Sequence, residues 1–448
     1  MTGTEQVPAP PAIIADGVGN LVAALRASGL PGFESIVLIR FQSSDETVLA
    51  SSVGRFSPKS DFLRYGDVTI TEVRILAIDA SGAVERNATH LTLHVRNLPP
   101  RVGVLDYLAG AHGGRIISAM HHDYPYEEPM ETDALHRRVA RETGVYPALY
   151  SADFLTGRTI PFRDQMIDEV IRQWTNGCLV QIMFHISPPQ YTVEQEADGG
   201  WGTDAPAETL PGPNRVYSYL TEERWAELMT DGSALNDTWR HRMDEYARHL
   251  ARLDEAGVTV MVRPFHEMNQ HVFWWGGRPG HAGSAGLFRM LRRYLEDAWN
   301  LHNLVWVWNV QDLPDDYGFA NGDEKFARYN GLAGGIPEYD ANDWDAFNPG
   351  ADAYDVLSVD FYDDEGYSAR RYEQAKRISR RDGKPMIIGE TFVFPSQEEL
   401  SAQPEWALAM PWGGRTWNHN TPDALATFYR RSIGADELPG FTRGQEAT

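Results

Sequence analysis

Eight short apolar runs, each ending in polar or aromatic residues, constrain this 448-residue chain more than any other feature. They read GRIISAMHH, YPALYSADF, CLVQIMFHI, VTVMVRPFHE, NLVWVWNV, DVLSVDFYD, PMIIGET and WALAMPW. A strand that is apolar on both faces belongs in a sheet covered on both sides, and alternation with helices makes such strands parallel. Eight units predict closure into an α/β structure of the (β/α)8 TIM barrel type, with an open doubly wound sheet as the alternative. The linking stretches carry apolar residues at helical spacing: Phe162, Met166, Val170 and Trp174; Trp239, Met243, Tyr246, Leu250 and Leu253; Leu287, Leu291, Leu295 and Ala298. The last opens on Thr421 and Pro422, a cap followed by a first-turn proline, and turns Leu425, Phe428 and Tyr429 inward.

A barrel of this kind needs roughly 250 residues, which leaves room for an appended module. The first part of the chain has a different texture. A Pro-rich start and a short helix expected around Leu21 to Ala27 are broken by Gly29 and the Pro31-Gly32 pair. From Ile36 to Val95, β-branched runs separated by Ser, Asp, Gly and Asn predict a small antiparallel sheet. The boundary falls at Asn97 to Arg101, which gives an N-terminal extension and small β-rich module over residues 1–98 and the barrel over 99–448.

The net charge of −23 would repel a phosphate backbone, so nucleic acid is excluded as an expected partner. No stretch approaches the roughly 20 apolar residues that cross a bilayer, so no membrane is expected. The single cysteine, Cys178, cannot form an internal disulfide and heads an apolar run, where a buried structural role is expected. The opening MTGTEQVPAPPAII has no basic segment followed by an apolar core. This leaves two compartments open, the cell interior or export after removal of a leader.

Function in such a barrel gathers where strands end and their following loops begin. The tips here are His121, His122 and Asp123; Asp153; His185; His266 and Glu267; Trp308 and Asn309; Asp360, Tyr362 and Asp363; Glu390; and Trp412. Polar and aromatic residues closing apolar runs are the reverse of what an inert core selects. Glu267 and Glu390 close the fourth and seventh runs in apolar surroundings, which raise a carboxyl pKa. A retaining glycosidase needs one proton-bearing acid and one ionised carboxylate about 5 to 5.5 Å apart, and strand tips facing each other across a barrel mouth supply that spacing. The structural alternative for either glutamate is a buried salt bridge, for instance to Arg263.

His266 and His271 lie five apart rather than four, after a strand rather than on a helix, so the segment fails the zinc peptidase pattern and no metal is expected. GHAGSAG, residues 280–286, lacks the dinucleotide spacing and is expected to be a flexible surface loop. Thirteen tryptophans and nineteen tyrosines offer flat faces suited to sugar rings. In Phe273-Trp274-Trp275-Gly276-Gly277, three consecutive aromatics after a strand end predict at least one, Trp274 or Trp275 included, in the cleft.

Taken together, RPFHEMN followed by FWWGG, GVYPALYSADF, NLVWVWN, DVLSVDFYD and KPMIIGET resemble segments of glycoside hydrolase family 26, known chiefly for β-mannanases, over roughly Val102 to Ile433. The resemblance implies Glu267 as acid/base, Glu390 as nucleophile and His266 as a contact in the cleaved subsite. It further implies Tyr362 as hydrogen-bond partner of the nucleophile, His185 as a sugar contact and Trp412 as stacking platform. His121, Asp153 and Trp308 complete the expected binding set by their place at strand tips. Two departures stand out: Val272 where mannanases of the family usually carry tryptophan, and Phe184 where a tryptophan-histidine pair is usual. Both are expected to thin the aromatic surface near the cleft.

The expected activity is therefore a retaining endo-β-glycanase, mannan first, needing no cofactor and binding a β-linked oligosaccharide or polysaccharide. The alternatives are the same chemistry on a mixed-linkage glucan or xylan, and a sugar-binding barrel without catalysis. The last has no need of both carboxylates, and this chain keeps both.

Overall fold

The computed structural model describes residues 103–110, 114–122, 132–199, 215–315, 317, 339–362 and 366–438, together with the backbone of seven strands between residues 12 and 95. Those seven are β1 (Ala12–Ala15), β2 (Ile36–Ser43), β3 (Val48–Ser51), β4 (Val68–Ile70), β5 (Val73–Asp79), β6 (Val84–Thr89) and β7 (Thr92–Val95). The antiparallel sheet expected over Ile36 to Val95 is present in the order β3-β2-β5-β6. A second sheet, β1-β7-β4, was not expected and draws a parallel strand from the Pro-rich start. The helix expected at Leu21 to Ala27, the Asn97 to Arg101 boundary, Asp123 and Asp363 lie outside the described residues.

The eight apolar runs form β8 (Ile117–His121), β9 (Leu149–Asp153), β10 (Leu179–Phe184), β11 (Val260–Pro264), β12 (Leu304–Gln311), β13 (Val356–Phe361), β14 (Met386–Thr391) and β15 (Trp406–Pro411). They close in sequence order, every neighbour parallel and β15 paired with β8. The period of two divides each strand between two cores. Ile117, Leu149, Leu179, Met183, Met261, Val305, Val307, Ile387 and Leu408 fill the lumen. Val180, Ile182, Val262, Trp306, Leu357, Val359 and Ile388 face the helices. The helix Val104–Ala109 lays Val104 and Leu108 against the luminal set and stops that end of the barrel. With one end packed by hydrocarbon, polar groups can gather only at the other.

The crossover helices sit where their spacing put them, except that Ala298 is exposed and Phe162 and Trp174 are only half-buried. Arg163–Thr175 buries Met166 and Val170, and Ala234–Glu255 buries Trp239, Met243, Tyr246, Leu250 and Leu253. Ser284–Arg293 buries Leu287 and Leu291 and runs into a single π turn, Tyr294–Ala298. Thr421 caps Pro422–Arg431 by accepting from the Ala424 amide, with Leu425, Phe428 and Tyr429 buried. Cys178 is buried. The segment 280–286 is a surface loop only as far as Ala282. Gly283 to Gly286 are buried where they open the next helix, and a Cβ on Gly283 would meet the Arg278 carbonyl at 2.0 Å. Among the described residues no helix is long and apolar enough to cross a membrane.

Candidate active site

At the open end, side chains in register with the luminal core converge. Arg263 follows Met261 on β11, Asn309 follows Val307 on β12, Asp360 follows Ser358 on β13, and His121 follows Ala119 on β8. Glu390 does not fit this parity, since Ile387 is luminal and Ile388 faces the helices, which would turn residue 390 outward. A bulge corrects it. Val359 pairs Ile388 while Asp360 pairs Glu390, so Gly389 is an extra residue that re-aims the glutamate into the mouth. Only glycine fits there, because a Cβ would lie 1.9 Å from Oγ of Ser358 and 2.6 Å from Oδ1 of Asp360.

Glu267 reaches the same space by another device. Phe265 and Glu267 both adopt positive φ, 52° and 48°, a conformation that costs non-glycine residues about 1–3 kcal/mol each. Asn309 holds the turn. Its Oδ1 accepts from the Glu267 amide at 2.6 Å, while its Nδ2 donates to Oγ of Ser358 at 2.8 Å and to Oδ1 of Asp360 at 2.7 Å. Asn269 pins the next residues by donating to the carbonyls of Gln311 and Ala341, both at 2.8 Å, and accepting from the Gln311 amide.

Glu267, Asp360 and Glu390 bring carboxylate oxygens within 4.8 Å of one another. Such crowding needs a cation, and Arg263 supplies it. The guanidinium donates through Nη1 to both oxygens of Asp360 at 3.1 Å and through Nη2 to Oε1 of Glu390. The salt bridge to Arg263 that stood as the structural alternative for a glutamate is thus present, on Glu390. Tyr362 donates to the other oxygen, Oε2. No hydrogen bond joins Arg263 to Glu267 among the described residues, and burial, followed by the charges of Glu390 and Asp360, pushes the Glu267 carboxyl well above the ordinary range against the weaker opposing charge of Arg263. One glutamate is thereby biased toward its protonated form while the other is held by a cation and a phenol, at a separation shorter than the roughly 6.5–9.5 Å of an inverting pair.

Histidines line the opposite wall. Nδ1 of His185 lies 2.5 Å from Oδ2 of Asp153, whose Oδ1 accepts from the His185 amide at 3.2 Å. That fixes the ring. His266 packs edge-on to His185 with centroids 4.3 Å apart, and its buried Nδ1 has no hydrogen-bond partner among the described residues. Burial, then the neighbouring His185 and Arg263, keeps His266 neutral. His121 places Nδ1 3.0 Å from Oγ of Ser151 and stacks on half-buried Trp412 at 4.1 Å.

Three expected aromatic contributions are placed elsewhere. Trp274 and Trp275 are fully buried, their indole N–H groups donating to the carbonyls of Ile186 and His266, so neither offers a face to a ligand. They form the bed under the histidines, with Phe273 stacked on Trp275 and 4.8 Å from His266. Trp308 faces the helices with Trp306, against Tyr354; inward Asn309 beside it was the signal of that parity. Phe184 likewise faces outward, against Phe154 and Tyr246, so it removes nothing from the cleft. Val272 is half-buried in the loop that carries Glu267. From sequence Asn309 and Asp360 stood among the strand tips without an assigned role, Arg263 only as a salt-bridge partner, and Gln270 was given no role. An arginine inside an apolar strand was the readable sign, since a buried guanidinium demands acidic partners.

The family model described as Glycosyl hydrolase family 26 matches residues 101–434. A mannan endo-1,4-beta-mannosidase of Thermothelomyces thermophilus is 25% identical over 350 residues, which cover 75% of this chain and 61% of that protein. A protein of the same description from Bacillus subtilis is 26% identical, covering 66% of this chain and 70% of its own length. The chain thus spans less than two thirds of the first relative. Among solved structures, GH26A from a Muricauda species superposes with a TM-score of 0.61 at 27% identity, covering 76% of this chain and 98% of that one. A beta-mannanase from a symbiotic protist of the termite Reticulitermes speratus, complexed with gluco-manno-oligosaccharide, shares the fold with a TM-score of 0.57 at 21% identity, covering 75% and 93%.

Proposed function

The chain belongs to glycosyl hydrolase family 26, and from that membership we propose that it is an endo-acting hydrolase of β-1,4-mannan that cleaves with net retention, Glu267 acting as acid/base and Glu390 as nucleophile. The observation that carries the reading is the approach of the two carboxylates to within 4.8 Å, one cation-paired and the other without a cation. In the first step Glu267 protonates the glycosidic oxygen while Glu390 attacks the anomeric carbon, forming a glycosyl ester and releasing the leaving sugar. In the second, Glu267, now ionised, takes a proton from water as that water displaces Glu390. Arg263 and Tyr362 stabilise Glu390 as the departing carboxylate. His185, His266 and Trp412 contact the sugar on either side of the cleaved bond, and Asp153 and His121 hold His185 and Trp412. We assign the reaction to the barrel, residues 99–448, and leave 1–98 as a separate module.

Mannan is supported by the relatives from Thermothelomyces thermophilus and Bacillus subtilis, both mannan endo-1,4-beta-mannosidases. A second substrate, another β-glycan such as mixed-linkage glucan or xylan, is favoured by Val272, because the cleft loop lacks the tryptophan usual in mannanases of the family. The test is hydrolysis of linear mannan, mixed-linkage glucan and xylan, followed by NMR of the first-formed anomer. Mannan cleavage to internal fragments with β-configured ends supports the proposal. Initial α-configured ends overturn the mechanism, and cleavage of glucan or xylan alone overturns the substrate.

A further inference from the structure

Among the described residues one side chain hydrogen-bonds the carboxyl of Glu267, and it is neither an ion nor a sugar-binding group. Gln270, three residues on in the same loop, donates from Nε2 to Oε2 of Glu267. We propose that Gln270 is a positioning residue for the acid/base: its amide fixes which oxygen of Glu267 carries the transferable proton and sets the pH at which that proton is lost. The inference rests on Glu267 being the acid/base, as argued above.

An amide N–H donates better to the carbonyl oxygen of a protonated carboxyl than to its hydroxyl. Oε2 is therefore the acceptor, and Oε1 is left to carry the proton toward the glycosidic oxygen. The amide is held so that it cannot turn away. Gln270 is buried, its backbone N–H closes a turn on the Glu267 carbonyl at 3.0 Å, and the Tyr317 hydroxyl donates to its Oε1 at 3.5 Å. The loop has no slack on its far side. Gly276 passes so close that a Cβ there would lie 2.1 Å from the Gln270 carbonyl oxygen, and the Gly277 amide donates to the Met268 carbonyl at 2.9 Å.

The charged and titratable groups around Glu267 make the amide's contribution separable. Glu390 on β14 and Asp360 on β13 press its carboxyl toward the protonated form, and Arg263 on β11 opposes them from across their own ion pairs. Tyr362 spends its proton on Glu390, and His185 and His266 stand beside one another on the opposite wall. Beyond Gln270 lie His271, Tyr317 and Tyr339. Gln270 is thus the neutral donor in direct contact with the acid, and it favours the ionised form that the second step requires. It keeps the upward push on Glu267 from trapping the proton.

The experiment compares Gln270→Met, which keeps bulk and removes the donor, with Gln270→Glu, which keeps the shape and replaces the donor by an acid. The pH profile of kcat/KM on mannan is measured in each, with circular dichroism confirming the fold. Losing the donor should raise the alkaline limb by about one to two pH units, the worth of a hydrogen bond to a charged group. Gln270→Glu should raise it further, and the acid limb should stay in place. If Gln270→Met does not fold, the shift in Gln270→Glu decides. An unmoved or lowered alkaline limb in a folded variant, while Glu267→Ala remains impaired on mannan, overturns the role of Gln270 alone. Full activity of Glu267→Ala on mannan removes the acid/base reading and this inference with it.

Discussion

The phenol of Tyr362 donates to Oε2 of Glu390, while Oε1 of the same carboxylate is taken by Arg263. Burial, then the charges of Glu390 and Glu267, push the Tyr362 hydroxyl well above its ordinary range, so it remains a donor through neutral and moderately alkaline pH. Tyr362→Phe should keep the fold and lower kcat/KM on mannan by roughly 10- to 100-fold, the worth of one hydrogen bond to a charged group at the transition state. Steady-state kinetics check this. An unchanged kcat/KM would make the contact incidental.

Glu267 and Glu390 should fail differently. Without Glu267, a dinitrophenyl glycoside needs little protonation, so its first step should survive while polymer cleavage falls by roughly 10²- to 10⁴-fold. Azide should then accelerate turnover with retention. Glu390→Ala should lose activity on both substrates, and azide should yield at most the inverted product. Retained product from azide rescue of Glu390→Ala would reverse the two assignments.

The raised carboxyl of Glu267 also bears on stability. Its pKa is higher folded than unfolded, so between the two values the folded protein binds more protons and loses stability as pH rises. The loss begins near the unfolded value of about 4.3 and is complete above the folded one. Glu267→Gln removes it. The variant should match wild type below about pH 4 and exceed it in stability at neutral pH. Chemical denaturation at both pH values measures the difference, and an equal gain at both would assign it to packing.

Gly389 makes the bulge that turns Glu390 inward, and a methyl there would overlap Oγ of Ser358 and Oδ1 of Asp360. Gly389→Ala should destabilise by about 1–3 kcal/mol through overpacking. It should also lower kcat by more than tenfold with KM little changed, since the nucleophile moves and the wall of histidines does not. A rise in KM alone would show that the bulge serves the binding wall instead.

Val272 leaves the loop that carries Glu267 without an aromatic ring at that position. Turnover of mannotriose should be weak relative to long mannan, and Val272→Trp should raise it, by about tenfold for one aromatic contact of about 1.5 kcal/mol. Equal kcat/KM on trimer and polymer in the wild type would show that the missing surface is supplied elsewhere.

The architecture was legible because it depends on local pattern. Eight apolar runs with polar tips, joined by stretches of helical period, admit few arrangements, and Glu267, Glu390, His185, His266 and Trp412 could be read from their places at strand ends. Which way a residue faces at the end of a strand is another matter. Strict alternation turns Trp308 and Phe184 toward the helices, and a reading that followed parity from Asn309 and His185 would have placed both correctly. The same rule would have misplaced Glu390, because the extra residue at Gly389 belongs to a pairing between two strands and to no pattern within one. Trp274 and Trp275 went inward because backbone carbonyls of Ile186 and His266, distant or irregular in sequence, were there to satisfy their N–H groups. The sequence by itself determined the barrel and the residues at its mouth. Only the tertiary structure decided their charges and aims, because Arg263, Asn309 and Gln270 act through contacts that exist once the strands have closed.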